Sequence, residues 1–515
     1  MTPRYTPTVN DAYDEVPYMS RAFAATHPAS LAVMGTLFGL TPTPPERARV
    51  LELGCAAGGN LIPMAHGNPD AQFVGIDRNA KGIEVGQARI RDLGLTNISL
   101  HTADLLDLPD LGQFDYIVAH GVYSWVPAQV QRALLDACKK RLTPHGIAYI
   151  SYNTMPGWAN RSALREMALF HAGEHPALSD RLGQTRALVQ LVQQATPEDH
   201  PLRAVLDHEH RHFSAMPDWY VIHEHLGENN EALWFHEFVR RAGVAGLQFL
   251  GEAELRDMVA VDLPPDIRTQ VEALGSDQLR LEQYLDFVRH RTFRRTLLVH
   301  DDVAIDRDIA LDRIDRLYVG GALATQPSDP TVPNVAPNAT DDVEQDTVAE
   351  ATWDVLQHSL PSGLAFTDLL QQVVDRTSGT ATELHDDVAN HVFSALLQGS
   401  VHLSASAMVA APPSPRPVAY TIARDEVARG ETWVTNRRHQ GVQLDPYMVT
   451  VLPLLDGTRS TADIIAFLAQ AATTGVFELL DLDHNTVTDS DQAVRVLTEG
   501  WPRALDVLAY YALLD

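Results

Sequence analysis

A glycine-rich turn near the start of the chain could bring backbone N–H groups against a ligand. The turn comprises residues 54–59 (GCAAGG); it follows the apolar run 50–53, and Asn60 is placed to cap the next helix. Small residues allow close backbone approach, and a helix N-terminus offers unpaired N–H groups. A purely structural tight turn is the alternative. The pattern predicts cofactor binding by Glu52, Gly54, Cys55, Ala56 and Gly58.

Acidic residues follow the next two predicted strands. Asp77 ends the second strand, where a carboxylate accepts hydrogen bonds from ribose hydroxyls. Asp104 ends the third strand, where a carboxylate and its neighbouring backbone amide can read an adenine edge. The structural alternative for either acid is a helix N-cap. The predicted cofactor-binding set therefore also includes Asp77, Arg78, Asp104 and Leu105.

A dinucleotide-binding protein would share the turn and the first acid, so NAD or FAD binding is the competing interpretation. Ala56 stands at the middle glycine position of a G-x-G-x-x-G fingerprint, which makes the pyrophosphate pattern imperfect. The Glu52-x-Gly54 opening and Asp104 instead resemble class I S-adenosylmethionine-dependent methyltransferases. This resemblance implies S-adenosyl-L-methionine as the cofactor, with no metal.

Longer stretches resemble the methyltransferases that carry a methyltransferase regulatory domain. Best known among these are bacterial lysine methyltransferases that act on outer-membrane proteins. The similar stretches are residues 10–18 (NDAYDEVPY), 26–28, 51–65, 120–127 (HGVYSWVP), 151–158 (SYNTMPGW), 223–226, 235–238 and 293–298, and more weakly 434–439 and 455–459. The resemblance covers most of the chain and implies a protein substrate with lysine-containing segments.

Methyl transfer is an in-line displacement at a sulfonium carbon, so the protein must hold a neutral nucleophile about 3 Å away in a dry site. Aromatic walls desolvate a lysine amine and tolerate its charged form. Residues of these types follow the fourth and fifth strands. We therefore predict catalytic roles for Tyr123, Trp125 and Asn153, substrate binding by Tyr13, Trp158 and His223, and cofactor contacts from Tyr18 and His120.

Each of these aromatic and histidine side chains has a structural alternative. Tyr123 and Trp125 could simply seal the end of the sheet, and Tyr13 and Tyr18 could pack a capping helix instead of closing over the cofactor. His223, together with Glu224 and His225, could be packed and hydrogen-bonded within the cap instead of facing the acceptor.

A second motif competes with this assignment. His208, Glu209 and His212 satisfy the H-E-x-x-H spacing of zinc peptidases, which places two imidazoles on one helix face beside a general base. The two intervening positions are His and Arg, and Ala215 and Asp218 stand where the extended motif has glycine and histidine. The sequence therefore favours a structural role for this cluster and no metal site.

Strands alternating with helices predict an α/β fold with a doubly wound, Rossmann-like parallel sheet. The strand patterns lie at 50–53, 73–77, 98–103, 116–119 and 147–150, and two later ones at 247–250 and 296–299 complete the same sheet. Residues 158–232 read as a helical insertion. Ligands of such sheets bind at the carboxyl ends of the strands.

The chain divides into seven predicted segments. They are an N-terminal lid (1–40), the cofactor-binding core (41–157), a helical substrate or regulatory region with the last core strands (158–320), a disordered linker (321–350), a winged-helix-like module (351–403), a second linker (404–418) and a C-terminal winged-helix-like module (419–515). Neither small module has a basic recognition helix apart from Arg437 and Arg438 before the last block's first helix, so protein recognition or homodimerisation is favoured over DNA reading.

Composition limits the partners. With 39 basic and 67 acidic side chains, the chain carries a net charge of −28, which repels nucleic acid and anionic lipid. Two cysteines, no signal-peptide pattern and no long apolar run predict a soluble, cytoplasmic protein without membrane insertion. We predict protein-lysine methylation; the alternatives are a small-molecule N- or O-methyltransferase and a catalytically inactive binding or regulatory protein.

Overall fold

The structure is a computed structural model of the 515-residue chain. It describes residues 20–173, 175, 177–227, 229–321, 347–408, 410–411, 414–481 and 483–515. Tyr13 and Tyr18 lie outside these residues, as does most of the predicted linker, namely 322–346. The predictions for the two tyrosines and for that linker therefore stay predictions.

A seven-stranded sheet forms the centre of the N-terminal block, in the spatial order β3-β2-β1-β4-β5-β7-β6. Its strands are β1 Arg49–Leu53, β2 Gln72–Asp77, β3 Ile98–Thr102, β4 Phe114–Ala119, β5 Leu142–Asn153, β6 Leu247–Glu252 and β7 Phe293–His300. Strands β1 to β5 are parallel, and β7 is antiparallel to β5 and β6. The predicted doubly wound sheet with two late strands is confirmed.

Helices on both faces bury the central strands β1 and β4, which explains their apolar runs, whereas the edge strand β3 is only partly buried. The helices along the first five strands are α1 Pro28–Leu37, α2 Leu61–Gly67, α3 Ala80–Asp92 and α4 Ala128–Arg141. The carboxyl ends of the parallel strands meet at one edge, which we call the active edge. Strand β7 begins at this edge, because Phe293 pairs with Asn153.

The segment between β5 and β6 is helical, as predicted. It contains α5 Trp158–Ala172, α6 Leu178–Ala195, α7 Arg203–Ala215, α8 Asp218–His225 and α9 Phe235–Val244. Helices α10 Pro265–Leu274 and α11 Gln278–Arg289 follow β6. The bridge between Thr154 and Leu233 joins the end of this insertion to the active edge.

A small module follows the large block. It contains α12 Thr347–Ser359, α13 Phe366–Val374 and α14 Ala381–Gln398 with a three-stranded sheet of β8 Tyr318–Gly321, β9 Leu364–Ala365 and β10 Val401–Ser404. Strand β8 pairs with β10, so the boundary predicted at residue 321 falls inside this module's own sheet. Residues 347–350, expected in the linker, are the first turn of α12.

Residues 404–418 were predicted to form a second linker. Where the structure describes them, they contact the rest of the fold instead of forming an extended spacer. Ser404 ends strand β10, and the Ala405 N–H donates to Ala29 O at 3.1 Å. Met408 is 7% exposed, and its carbonyl accepts from Gly363 N at 2.8 Å. Proline prevents regular structure in this stretch, but backbone partners and the buried methionine still fix it against the fold.

The C-terminal module contains α15 Thr421–Ala428, β11 Trp433–Thr435, β12 Gly441–Gln443, α16 Pro446–Val451, α17 Thr461–Thr473 and α18 Ser490–Tyr510. Arg437 and Arg438 lie in the turn between β11 and β12, not before the module's first helix as predicted, because α15 precedes that hairpin. Arg438 Nη1 donates to Gly321 O at 3.1 Å. In the described part of the chain, no helix has both the length and the apolar character that crossing a membrane requires.

Candidate functional site

The glycine-rich turn after β1 includes backbone conformations with positive φ, which residues other than glycine rarely adopt. Gly54, Ala56 and Gly58 have φ values of 83°, 48° and 75°. A Cβ on Gly54 would lie 2.3 Å from Val122 Cγ2, so only glycine fits there. The Ala56 N–H donates to Asp77 Oδ2 at 2.8 Å, which fixes the turn against the end of β2. The predicted turn residues and the first acid are therefore brought together.

Glu52 lies beneath this turn, buried at 3% exposure. Its Oε1 accepts from Asn60 Nδ2 at 2.8 Å, and its Oε2 has no hydrogen-bond partner among the described residues. Burial raises the pKa of Glu52 to about 7; the bond from Asn60 lowers it and the charge of Asp77 raises it further. Burial likewise raises the pKa of the Cys55 thiol well above its ordinary value, so Cys55 is a packed side chain and not a nucleophile.

Asp77 orients two backbone amides at the active edge. Its second oxygen, Oδ1, accepts from Asn79 N at 2.8 Å. Asn79, and not Asp77, caps helix α3, since its side chain accepts from Gly82 N. The N-cap alternative for Asp77 is therefore wrong. A carboxylate has about four acceptor positions, so Asp77 retains the capacity to accept from a ligand.

Asp104 and its neighbours form the outer part of this site. The Asp104 Oδ1 atom accepts from Leu106 N at 2.9 Å, and no helix begins there, so the N-cap alternative fails for this acid too. Arg78 Nε lies 3.5 Å from Asp104 Oδ2, with both side chains substantially exposed. Leu105 packs against the apolar cluster on this side of the sheet. Cofactor contacts by these residues stay predictions.

Residues of the predicted N-terminal lid (1–40) cover the turn, although Ser20 and Phe23 were not among the predicted site residues. The Ser20 hydroxyl accepts from Gly59 N at 2.8 Å, and a Cβ on Gly59 would lie 2.1 Å from Ser20 O. The Phe23 N–H donates to Asn60 Oδ1 at 3.0 Å, and the Phe23 ring centroid lies 4.0 Å from that of His120. The second glycine of the Gly58–Gly59 pair was the sequence signal for this close approach.

His120 follows β4 and is held between aromatic rings. Its Nδ1 lies 2.9 Å from Tyr149 Oη, and the Phe293 ring meets it edge-on at 6.1 Å. Burial lowers the pKa of His120 to about 3, and the positive charge of Arg295 lowers it further. His120 is therefore neutral at physiological pH. Its predicted contact with the cofactor stays a prediction.

Tyr123 is buried more deeply than expected for a residue that lines an open acceptor channel. It is 1% exposed and packs edge-on against Phe238 at 5.2 Å and Tyr152 at 6.3 Å. Burial raises the pKa of Tyr123 to about 12, so its hydroxyl stays protonated. The structure thus shows the sealing role for Tyr123, and its catalytic role stays a prediction.

A buried carboxylate meets the ends of β4 and β5. Glu224, on helix α8, has one oxygen, Oε2, that is buried without a hydrogen-bond partner among the described residues. Burial raises the pKa of Glu224 to about 7, while hydrogen bonding from Asn153 and Trp125 lowers it. Asn153 Nδ2 also donates to Asn230 Oδ1 at 3.0 Å. Two predicted catalytic residues therefore lie beside an acid that the sequence placed in the cap but not among the predicted site residues.

Trp158 and His223, predicted to bind substrate, both lie inside the helical insertion. Trp158 is 2% exposed and stacks with His225 at 6.0 Å. His223 is 5% exposed. The structure thus shows packing for both side chains, and their contact with a substrate stays a prediction. Residues 223–225 were predicted to belong to the cap, and His223 was predicted to bind substrate. In the structure it is Glu224, the middle residue, that lies beside Asn153.

The H-E-x-x-H cluster on α7 is arranged for packing. Glu209 is 5% exposed, and its Oε1 accepts from Arg161 Nε at 3.3 Å. The His208 side chain is 65% exposed and lies 4.0 Å from that oxygen. Within the described ranges, no three His, Cys, Asp or Glu side chains are grouped to hold a metal ion. One Glu209 oxygen is thus paired with an arginine, while Glu209 Oε2 and His212 Nε2 are buried without a hydrogen-bond partner among the described residues.

Three family models match the chain. They are a methyltransferase domain over residues 45–188, a predicted methyltransferase regulatory domain over 217–300, and a PKMT C-terminal winged helix domain over 415–513. Their order follows the three parts described above: the parallel sheet, the segment from α8 to β7, and the C-terminal module.

Sequence relatives and a solved structure extend the likeness over nearly the whole chain. An uncharacterized protein of Rickettsia prowazekii is 33% identical over 473 residues, covering 88% of this chain and 85% of that protein. A second R. prowazekii protein is 41% identical over 45% of this chain and 93% of its own length. The structure of PKMT2 from Rickettsia typhi in complex with AdoHcy superposes with a TM-score of 0.84 and 28% identity, covering 97% of this chain and 100% of that one.

Proposed function

Because the chain belongs to the family of S-adenosylmethionine-dependent methyltransferases that carry a methyltransferase regulatory domain, we propose that it methylates lysine side chains of a protein substrate. The winged-helix model of the PKMT type and the fold shared with PKMT2 of R. typhi support a protein substrate. One observation carries the lysine assignment: the buried Glu224 carboxylate beside Asn153 and Trp125 at the active edge.

The residues of the turn after β1 fit S-adenosylmethionine. Gly54 and Gly58 allow the positive-φ turn to pack closely against Val122 and Leu100, and Asp77 offers carboxylate lone pairs for ribose hydroxyls. The unpartnered Oε2 of Glu52 suits the cofactor's α-ammonium group, because a buried acceptor without a partner is costly. When bound, the cofactor supplies an electrophilic methyl group on a positively charged sulfur.

Glu224 suits an amine acceptor because it is an anion in a partly dry site. A lysine ammonium entering beside Glu224 would exchange water for a charge-assisted hydrogen bond. Arg161 and Arg165 lower the pKa of Glu224 by their positive charge, so the carboxylate is not fully neutralised by burial. The Trp125 ring lies beside the same carboxylate and would desolvate the alkyl chain of the acceptor.

The reaction needs positioning and no covalent enzyme intermediate. The acceptor ammonium loses a proton to solvent, and its nitrogen lone pair forms the new N–C bond as the C–S bond breaks in line. Positive charge then passes from sulfur to the methylated nitrogen. Glu224 and the Asn153 side-chain oxygen would hold the nitrogen in line, and the carboxylate stabilises the charge that develops on it.

Methyl labelling of a cell extract tests the acceptor class directly. Incubation of the purified protein with fractionated lysate and tritiated-methyl S-adenosylmethionine is expected to label protein, and mass spectrometry of the digest is expected to find methyl-lysine. Label that enters only small metabolites would favour an N- or O-methyltransferase of small molecules. Absence of turnover with every fraction, despite cofactor binding, would favour an inactive binding protein.

Asp77→Ala is expected to weaken cofactor binding about 30-fold, since it removes both a ribose acceptor and the acceptor that fixes Ala56 N. Isothermal calorimetry with S-adenosylhomocysteine measures this effect. Asp70→Ala is the matched control, because Asp70 is an exposed acid just before the same strand. An unchanged dissociation constant for Asp77→Ala would contradict the assigned cofactor site.

A further inference from the structure

The Asn60 side chain is a hub buried beneath the cofactor turn, at 4% exposure. Its Nδ2 donates to Glu52 Oε1 at 2.8 Å, and its Oδ1 accepts from Phe23 N at 3.0 Å. These two partners fix which end of the amide is oxygen, because a backbone N–H can only donate. The sequence predicted a helix cap at Asn60, but the side chain makes no cap hydrogen bond and serves this network instead.

The Thr26 hydroxyl also lies 3.0 Å from Asn60 Nδ2 and 3.1 Å from Asn60 Oδ1. The remaining partner of Asn60 belongs to the C-terminal module. His439 Nε2 lies 2.9 Å from Asn60 Oδ1, although the two residues are 379 positions apart. His439 stands in the turn between β11 and β12 with a φ of 58°, and it is 4% exposed. Since Asn60 Oδ1 is an acceptor, His439 must donate its Nε2–H.

The neutral form of His439 makes this bond. Burial lowers the pKa of His439 well below its ordinary value, and the charge of His27, whose ring centroid lies 5.2 Å away, lowers it further. Among the described residues, Asn60 and His27 are the side chains shown facing this imidazole. The hydrogen bond is therefore present throughout the neutral pH range.

A second set of contacts holds the same module against the core. Arg89, on α3, donates to Asp425 Oδ2 at 2.6 Å and to Glu426 Oε1 at 3.1 Å. Glu426 in turn accepts from the backbone N–H of Thr435 at 2.6 Å. Thr435 is the last residue of β11, so the ion pair positions the strand that leads into the His439 turn. The C-terminal module is thus anchored on two sides of the cofactor motif.

We propose that the C-terminal winged helix is part of the cofactor site, with His439 acting through Asn60 to position the Glu52 carboxylate. The bond from His439 restrains Asn60, and Asn60 sets the direction of Glu52 and holds the covering segment at Phe23. His439 is a positioning residue, since it contacts Asn60 and reaches the turn only through it. This inference rests on cofactor binding and not on the identity of the methyl acceptor.

His439→Leu tests the link, with the affinity for S-adenosylhomocysteine measured by calorimetry. Loss of the donor is expected to weaken binding about tenfold. His439→Gln is expected to restore most of the affinity, because the glutamine amide nitrogen reaches about as far from the backbone as imidazole Nε2 and can donate. Arg437→Ala is the control, since Arg437 lies in the same turn and pairs with Asp515 at the surface. An affinity for His439→Leu within twofold of the wild type would overturn the proposal.

Kinetics separate a positioning role from general damage. His439→Leu is expected to raise the KM for S-adenosylmethionine while kcat at saturating cofactor changes less than twofold. A parallel fall in kcat with an unchanged KM contradicts the proposal.

Hydrogen exchange on the wild-type protein provides a test that needs no variant. Coupling between two sites is reciprocal, so S-adenosylhomocysteine is expected to slow amide exchange in the turn 436–440. Exchange in the surface helix α10 serves as the internal reference. Unchanged exchange of the turn at saturating ligand would show that the module does not sense the cofactor site.

Discussion

Glu224→Gln is expected to lower kcat/KM for the protein acceptor about 100-fold, equivalent to about 2.7 kcal/mol of transition-state stabilisation. The substitution keeps the shape of the side chain beside Asn153 but removes the negative charge that holds the ammonium and stabilises the methylated product. The affinity for S-adenosylhomocysteine is expected to stay within twofold, because Glu52 and Asp77 at the turn after β1 are untouched. Single-turnover methylation assays combined with calorimetry separate these two effects.

The pH profile provides an independent signature of Glu224. Its pKa is raised to about 7, mainly by burial, so the carboxyl group is protonated and uncharged below that pH in the free protein. Acceptor binding is therefore expected to strengthen as pH rises through about 7. In Glu224→Gln this limb of the profile of kcat/KM should disappear, while the dependence caused by deprotonation of the acceptor amine persists.

A nearby acid supplies the control for this experiment. Glu166 lies on helix α5 with a side chain 75% exposed and 3.4 Å from Arg165, one of the arginines whose charge acts on Glu224. Glu166→Gln removes a charge of the same sign in the same insertion, and its kcat/KM is expected to match the wild type. Equal activity of wild type and Glu224→Gln would remove the observation on which the lysine assignment rests.

The sheet and the cofactor turn could be predicted because local patterns encode them. The buried strand β1 leads into Gly54, where a positive φ and the approach of Val122 demand glycine. The late strands β6 and β7 were also found, since their apolar runs stand out between helices. For the cofactor site, the acids at the strand ends followed from the topology once the sheet was assigned.

Contacts between distant segments could not be predicted from the sequence. His439 meets Asn60 across 379 residues, and no local period reports such a pairing. Asn60 looked like a helix cap because a polar residue before an apolar run commonly is one. Glu224 stands between two histidines that were equally plausible site residues. Only the tertiary structure determines which residue of α8 lies beside Asn153. The one sequence signal that could have identified Glu224 was a single acid in the stretch Val221 to Leu226, which is otherwise apolar or histidine.

Arg294→Met is expected to destabilise the protein by about 3 to 5 kcal/mol, because it removes the ion-pair partner of buried Glu252 and Glu282 and leaves Asp286 with Arg291 alone. The Arg294 guanidinium is fully buried and donates to Glu252 at 2.6 Å, Asp286 at 2.8 Å and Glu282 at 3.1 Å. Its charge also lies over the Phe235 ring at 4.0 Å. This cluster joins α11 to β6 and β7 within the matched regulatory domain, so its loss should loosen the antiparallel side of the sheet.

The defect in Arg294→Met is expected to depend on pH in a defined direction. Burial already raises the pKa of Glu282 to about 7 and that of Asp286 above its ordinary value, and loss of the arginine removes the charge that opposes both shifts. A folded state that binds protons more tightly than the unfolded state gains stability as pH falls. The urea midpoint should therefore fall further below the wild type at pH 8 than at pH 5.5.

The neighbouring Arg295→Met variant tests whether the loss of stability comes from burial of the ion pairs or only from removal of one positive charge. Arg295 lies on the same strand and pairs with Glu254 at 2.7 Å and Asp257 at 2.8 Å, but its side chain is 29% exposed. Solvent can replace those partners, so we expect a loss of about 1 kcal/mol with little dependence on pH. Equal losses in the two variants would mean that the buried cluster contributes no more than a surface ion pair, and that α11 is held to the sheet by apolar packing alone.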